Sequence, residues 1–395
     1  MTIASVRQRL VDAPRVRETI MRAAAGEGSY AMAHAWLFTG PPGAGRSHAA
    51  VAFAAALECT DATEVGCGRC ESCRKVFADA HTDVVHIRPQ ELSISVETVR
   101  GIIQQASRLP TVGRWRVIIV DEADRFSTAA ADAFLKTVEE PPASTVIILC
   151  APSTDPEDFS PTLRSRCRHL YIPAPSEAEI VRLLTAEEGA DEATARLAAA
   201  TSLHHIGRAR RLIRSEEMQQ RRAQVINLAE LIFHGDEAFK AVGSLIKAAE
   251  KEAVASHEEA DTLEREKLEQ ALGVGAKGKG AARALRGAAS TVKALETKQK
   301  ARGTRRTRDV LDLVLVDLAG VYRDALVIGS GAAVGLTHPD FEGLAREIAQ
   351  RVPAEGIVAC LDAIAACRQS LDFNVTPAVA FFGMLGRIRQ ACNVK

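Results

Sequence analysis

Five short apolar runs punctuate the first 172 residues: 35–39 (Ala-Trp-Leu-Phe-Thr), 83–87, 116–120 (Arg-Val-Ile-Ile-Val), 145–150 and 168–172. Continuous apolar runs of about four to eight residues, without polar alternation, mark strands buried on both faces, as in a parallel sheet. Helical spacing falls between them. Val99, Ile102, Ile103 and Ala106 share one face behind Ser95, which is placed to cap a helix, and an Ala-rich stretch through Leu57 predicts another. Strands alternating with helices predict a mainly parallel, doubly wound α/β domain over residues 1–172. Beyond Pro173 and Pro175 the pattern turns to Ala/Leu-rich helical periodicity with few β-branched runs. Residues 173–214 fit a small three-helix lid, and 215–395 an all-α domain. Val310, Leu311, Leu313, Val314, Val316 and Leu318, with the run Phe381-Phe382-Gly383-Met384-Leu385, supply the apolar faces that a helix bundle would bury.

The chain has 395 residues, enough for two or three domains with separate cores. Lys plus Arg (50) balance Asp plus Glu (50), and 47% of residues are hydrophobic. These values exclude a disordered polyelectrolyte and a globally basic nucleic-acid coat, so any DNA contact must use a local patch. One such patch lies within a charged stretch at about 250–308. It is acidic up to Glu269, breaks at a glycine-rich segment over 273–280, and carries eleven Lys or Arg against the single acid Glu296 across 273–308. The block reads as a surface for DNA phosphate or an acidic partner, or as a solvated helical hairpin, and it holds no aromatic residue for base stacking. No apolar run reaches the roughly 18 residues of a membrane span, and residues 1–22 are charged throughout, so a cytoplasmic protein without membrane contact is expected.

Chemistry enters through three clusters. Cys59, Cys67, Cys70 and Cys73 follow the spacing C-x7-C-x2-C-x2-C, with Gly66 and Gly68 between them to let the backbone turn tightly. Four thiolates with no open position describe a structural Zn2+ site; the alternative is four free or buried thiols. The remaining cysteines, Cys150, Cys167, Cys360, Cys367 and Cys392, are scattered through apolar stretches and read as core residues. Gly40-Pro41-Pro42-Gly43-Ala44-Gly45-Arg46-Ser47 lies between the first apolar run and the Ala-rich helix, matching the phosphate-binding pattern G-x-x-x-x-G-K-[ST] except at Arg46, which stands in the lysine position. Its glycines would let backbone N–H groups cradle the phosphates of ATP, and Ser47 would reach Mg2+. Guanidinium is a planar fork where the ammonium is a compact point charge, so Arg46 weakens this expectation, and a glycine turn without a ligand competes with it. The apolar run 116–120 ends in Asp121-Glu122-Ala123-Asp124, a Walker B arrangement in which Asp121 would hold Mg2+ and Glu122 would polarise the attacking water; helix capping is the simpler alternative. The run 145–150 leads to Ser153 and Thr154, small hydroxyl residues at another strand's C-terminal end, the edge where ligands of open α/β sheets bind.

Together these features resemble the AAA+ clamp-loader family of bacterial DNA replication, and within it subunits of the delta prime type. The likeness is carried by 35–47, by the cysteine knuckle at 59–73 and by Asp121-Glu122-Ala123-Asp124 with the later Phe134-Leu135-Lys136-Thr137-Val138-Glu139-Glu140-Pro141-Pro142. Ser165-Arg166-Cys167 and Gly207-Arg208-Ala209-Arg210 complete it. It covers about the first 215 residues; the rest matches only in overall character. The resemblance implies an AAA+ domain, a helical lid and a C-terminal helical collar that oligomerises. It implies Arg166 as an arginine finger offered to ATP on a neighbouring subunit, Ser153 or Thr154 as sensor 1, and Arg210 as sensor 2. The implied partners are gamma/tau and delta subunits in a mixed ring, a sliding clamp and primed DNA, within a DNA polymerase III assembly and without polymerase activity in this chain. Two alternatives stay open: an ATP-hydrolysing motor subunit of the gamma/tau kind, using Glu122, and a stand-alone AAA+ DNA-remodelling ATPase.

Overall fold

The structure, a computed structural model, describes residues 4–26, 32–142, 144–255, 257–272, 281–372 and 375–394. Its contacts divide the chain into two compact units. One comprises Met1–Pro89, Ser93–Ala190 and His204–Ala209, and the other Gln90–Leu92, Asp191–Leu203 and Arg210–Lys395.

The first unit is built on a parallel sheet of β1 (Ala35–Thr39), β2 (Val84–Ile87), β3 (Arg116–Val120), β4 (Thr145–Ala151) and β5 (Arg168–Tyr171), in the order β2-β3-β4-β1-β5. The three central strands are buried along their whole length, so their alternate residues feed two cores. Trp36, Phe38, Val117, Ile119, Val146 and Ile148 pack with the helix Arg46–Leu57 on one face. Leu37, Ile118, Val120, Ile147 and Leu149 pack with the helices Val96–Ala106 and Thr128–Glu139 on the other. Helices on both faces make this the doubly wound α/β layer that the alternation of elements predicts. Ser95 accepts a hydrogen bond from the Thr98 N–H and caps its helix, and Val99, Ile102 and Ala106 are buried beneath it.

The helices Glu177–Glu188, Glu192–Thr201 and Ile206–Arg214 follow the sheet. The second unit continues with Glu216–Leu231, Glu237–Ala255, Glu258–Ala271, Ala281–Ser330, Glu342–Arg351, Ala354–Asp372 and Pro377–Ala391, which share one apolar core except for Glu258–Ala271, which buries no residue. Two expectations need correction there. In the long helix the buried stripe is Leu311, Val314, Leu315, Leu318, Val321 and Tyr322, while Leu313 and Val316 are half-buried, because helical spacing turns only one side of an apolar run inward. Phe381, Met384 and Leu385 are buried, but Phe382 is 41% exposed and leans on Phe239, the ring centroids 5.9 Å apart. Among the other cysteines, Cys150, Cys360, Cys367 and Cys392 are core residues; Cys167 is half-buried, and the Cys360 and Cys392 sulfurs stand 3.7 Å apart. The glycine-rich break at 273–280 lies outside the described residues. No helix among the described residues is long and apolar enough to cross a membrane.

Candidate functional site

In a parallel sheet all C-terminal strand ends share one edge, and three candidate segments meet there. The Gly40 N–H donates to the Pro152 carbonyl at 3.2 Å, tying the loop after β1 to the segment after β4. Gly40 is obligatory, because a Cβ there would lie 2.1 Å from the Ile172 carbonyl oxygen. Gly43 and Gly45 have φ of +83° and +84°, the left-handed turns from which anion-binding backbone nests are built. A side chain at Gly43 would also collide with His205. Arg46 opens the following helix, and its guanidinium donates back to the Gly40 carbonyl, spanning the loop.

Ser47 and Asp121 come together as the two motifs require: the Ser47 hydroxyl donates to Asp121 Oδ1 at 2.6 Å. His86 Nε2 lies 2.7 Å from Asp121 Oδ2. Burial pushes the Asp121 carboxyl up, but the hydrogen bonds from His86 and Ser47 outweigh it and hold the group below the usual range. Sequence reasoning missed His86. The available signal was a histidine near the end of a strand adjoining the acidic one, since β2 pairs with β3 in a register that sets His86 beside Ile119. Glu122 takes a left-handed backbone, φ +51°, and its carboxylate is 3.2 Å from Arg125. Of the two hydroxyls after β4, Ser153 is engaged locally, donating to Asp158 at 2.6 Å and accepting from the Asp155 N–H at 2.9 Å; Thr154 is half-buried. Arg210, on the helix Ile206–Arg214, falls in the second unit.

Arg166 stands at the other edge. It lies two residues before Arg168, which pairs with Trp36 near the start of β1, whereas Tyr171 pairs with Thr39 at its end. A five-residue strand is about 16 Å long, so the backbone of Arg166 is separated from its own phosphate loop by the depth of the sheet. Its side chain donates to the Thr162 carbonyl at 2.9 Å and pairs with Glu139.

The four knuckle sulfurs lie within 4.8 Å of one another. Tetrahedral zinc at about 2.3 Å from each sulfur sets them about 3.8 Å apart, so the donor set and spacing fit a structural Zn2+. Backbone N–H groups point at the sulfurs as thiolates need: Cys67 to Cys59 at 3.5 Å, Cys70 to Cys67 at 3.3 Å and Cys73 to Cys70 at 3.4 Å. Burial alone raises the Cys70 thiol, and N–H donors from Cys73 and Thr60 bring it below its ordinary value. Gly66 and Gly68 take φ of +68° and +75°, and a side chain at Gly66 would strike Val6.

Residues 20–176 match the family model described as DNA polymerase III, delta subunit. Over 149 residues the chain is 34% identical to the DNA polymerase III subunit delta' of Pseudomonas aeruginosa, covering 37% of this chain and 45% of that one. Over 202 residues it is 29% identical to the delta' subunit of Bacillus subtilis, covering 51% and 60%. Over 148 residues it is 34% identical to the DNA polymerase III subunit tau/gamma of Haemophilus influenzae, covering 37% and 21%. The chain thus spans between about a fifth and three fifths of the length of these curated relatives. The matched stretch contains the glycine loop, the knuckle, the acidic strand end and Arg166 together.

Proposed function

We propose that the chain is a clamp-loader subunit of the delta prime type, which joins gamma/tau and delta subunits in a ring and helps place a sliding clamp on primed DNA. In this reading Arg166 is offered to ATP on a neighbouring subunit, Cys59, Cys67, Cys70 and Cys73 hold a structural Zn2+, and the loop 40–47 takes a nucleotide of its own. Thr154 serves as its sensor.

The observation that carries the reading is the position of Arg166 at the start of β5, across the sheet from its own loop. An arginine there is remote from the chain's own phosphates and suited to another's, where a guanidinium stabilises the charge that develops on a transferred phosphoryl group. The motor reading is less well supported: Arg46 replaces the lysine, and the Glu122 carboxylate is engaged by Arg125. The test is DNA-stimulated ATP hydrolysis by the ring assembled with gamma/tau and delta subunits. With Arg166→Ala, hydrolysis at the adjoining site should fall by about a thousandfold, while Glu122→Gln leaves the total rate unchanged. An undiminished rate with Arg166→Ala would overturn the reading, and loss of hydrolysis with Glu122→Gln would favour the motor.

A further inference from the structure

The core of the second unit holds two thiols in contact. The Cys360 and Cys392 sulfurs stand 3.7 Å apart, one within the helix Ala354–Asp372 and the other capping the C-terminal end of Pro377–Ala391. A glycine holds the two backbones close. A Cβ at Gly356, one helical turn before Cys360 on the same face, would lie 2.7 Å from the Ala391 carbonyl oxygen, so the helices meet more tightly there than a side chain would allow. A disulfide sets its sulfurs about 2.05 Å apart, and this pair must close by about 1.6 Å, within the reach of side-chain torsions.

The two thiols are not equivalent. Cys360 is fully buried, whereas Cys392 is 8% exposed and sits at the final turn of its helix, the part of a helix that opens most readily. The hydrogen bond between the sulfurs pushes the Cys360 thiol up, with burial adding to it, and holds Cys392 below its ordinary value. The more acidic thiol is thus the one nearer solvent. The Tyr322 hydroxyl is buried in the same core and has no hydrogen-bond partner among the described residues. Burial raises it, and charge on Cys360 or Cys392 raises it further, which marks it as a neighbour of both sulfurs and a donor for a thiolate.

We propose that Cys360 and Cys392 form a thiol–disulfide pair, with Cys392 as the attacking thiol, Cys360 as the resolving one and a small disulfide such as glutathione disulfide as the oxidant. The Cys392 thiolate attacks one sulfur of that disulfide and displaces a glutathione thiolate. Cys360 then gives up its proton and attacks the Cys392 sulfur of the mixed disulfide, and the second glutathione thiolate leaves. Two electrons pass to the glutathione disulfide, and the two thiol protons end on the two glutathiones released. The new bond staples the end of the helix Pro377–Ala391 to Ala354–Asp372 and restricts the unfolded chain of this unit.

The test incubates the full zinc-loaded chain with glutathione disulfide, blocks the remaining thiols with N-ethylmaleimide and maps tryptic peptides by mass spectrometry. Peptides 352–368 and 390–395 should be recovered joined, lighter by two hydrogens than their sum, and dithiothreitol should separate them. The join should be absent from Cys360→Ala and present in Cys367→Ala, whose site shares the larger peptide. By calorimetry the joined chain should show one transition raised by about 5 °C over the reduced chain, a shift that Cys360→Ala does not show after the same treatment. Cys392 recovered only as its glutathione mixed disulfide, or both thiols recovered unoxidised, would overturn the pair. A join that survives in Cys360→Ala would overturn it as well, and an unshifted transition in the joined chain would overturn the staple.

Discussion

Asp83 organises the lower edge of the sheet through a single buried carboxylate. It accepts the Thr111, Val112 and Gly113 N–H groups at 2.8, 2.7 and 2.8 Å and the Thr111 hydroxyl at 3.0 Å. Beside it Glu58 accepts the Arg114 and Trp115 N–H groups at 3.1 and 3.0 Å, and a Cβ at Gly113 would lie 1.8 Å from that carboxylate. Burial raises the Asp83 carboxyl, but the three N–H donors outweigh it and hold the group at about 2. A folded value below the unfolded one of about 3.9 means stability that is present above that pH and lost as pH falls toward 2. Asp83→Asn should therefore cost about 2–3 kcal/mol at pH 7, and the gap to wild type should narrow below pH 4. Urea unfolding at pH 7 and pH 3 reads this directly, and an equal gap at both would contradict it.

The two helices of the charged stretch pair with each other. Arg302 lies 2.5 Å from Glu264 and 3.8 Å from Asp261, Arg306 is 3.6 Å from Asp261, and Arg265 is 3.5 Å from Glu296. The acidic helix Glu258–Ala271 thus neutralises part of the basic one, and the Arg302 side chain is only 15% exposed. Changing Arg302 and Arg306 together to Ala should leave duplex-DNA affinity within about twofold at fixed salt, because neither is open to phosphate, while Asp261→Asn with Glu264→Gln should raise it several-fold by releasing them. A loss of more than about tenfold on removing the two arginines would restore the DNA-surface reading. The sign of each block is legible in the chain; their pairing is not, since it depends on how two helices align across a segment of 273–280. The same distinction holds elsewhere. Strands buried on both faces announce themselves as apolar runs, and the two catalytic-looking motifs announce themselves by glycines and acids. His86 reaches Asp121 only through the pairing of β2 with β3, a long-range register that no local spacing encodes.

Over the whole molecule, the knuckle belongs to one core and not to the other. Cys67 and Cys73 are buried among Val6, Phe53 and Val76, the Cys73 thiol reaches the Ala55 carbonyl at 3.4 Å, and Val6 N–H meets the Gly66 carbonyl at 2.9 Å. The core of the second unit draws its buried residues from 225–392, with none from 59–73. A metal that binds the folded knuckle and not the unfolded chain adds its binding free energy to the first unit alone. Elemental analysis should find one zinc per chain, and its removal by a chelator should lower one calorimetric transition by at least about 5 °C while a second stays in place. Hydrogen exchange identifies the affected transition, because the amides of β1, β3 and β4 should lose protection while those around Leu315, Tyr322 and Leu385 keep theirs. Transitions that shift together would mean that the two units unfold as one, and an unshifted pair would mean that the four thiols hold the knuckle without metal.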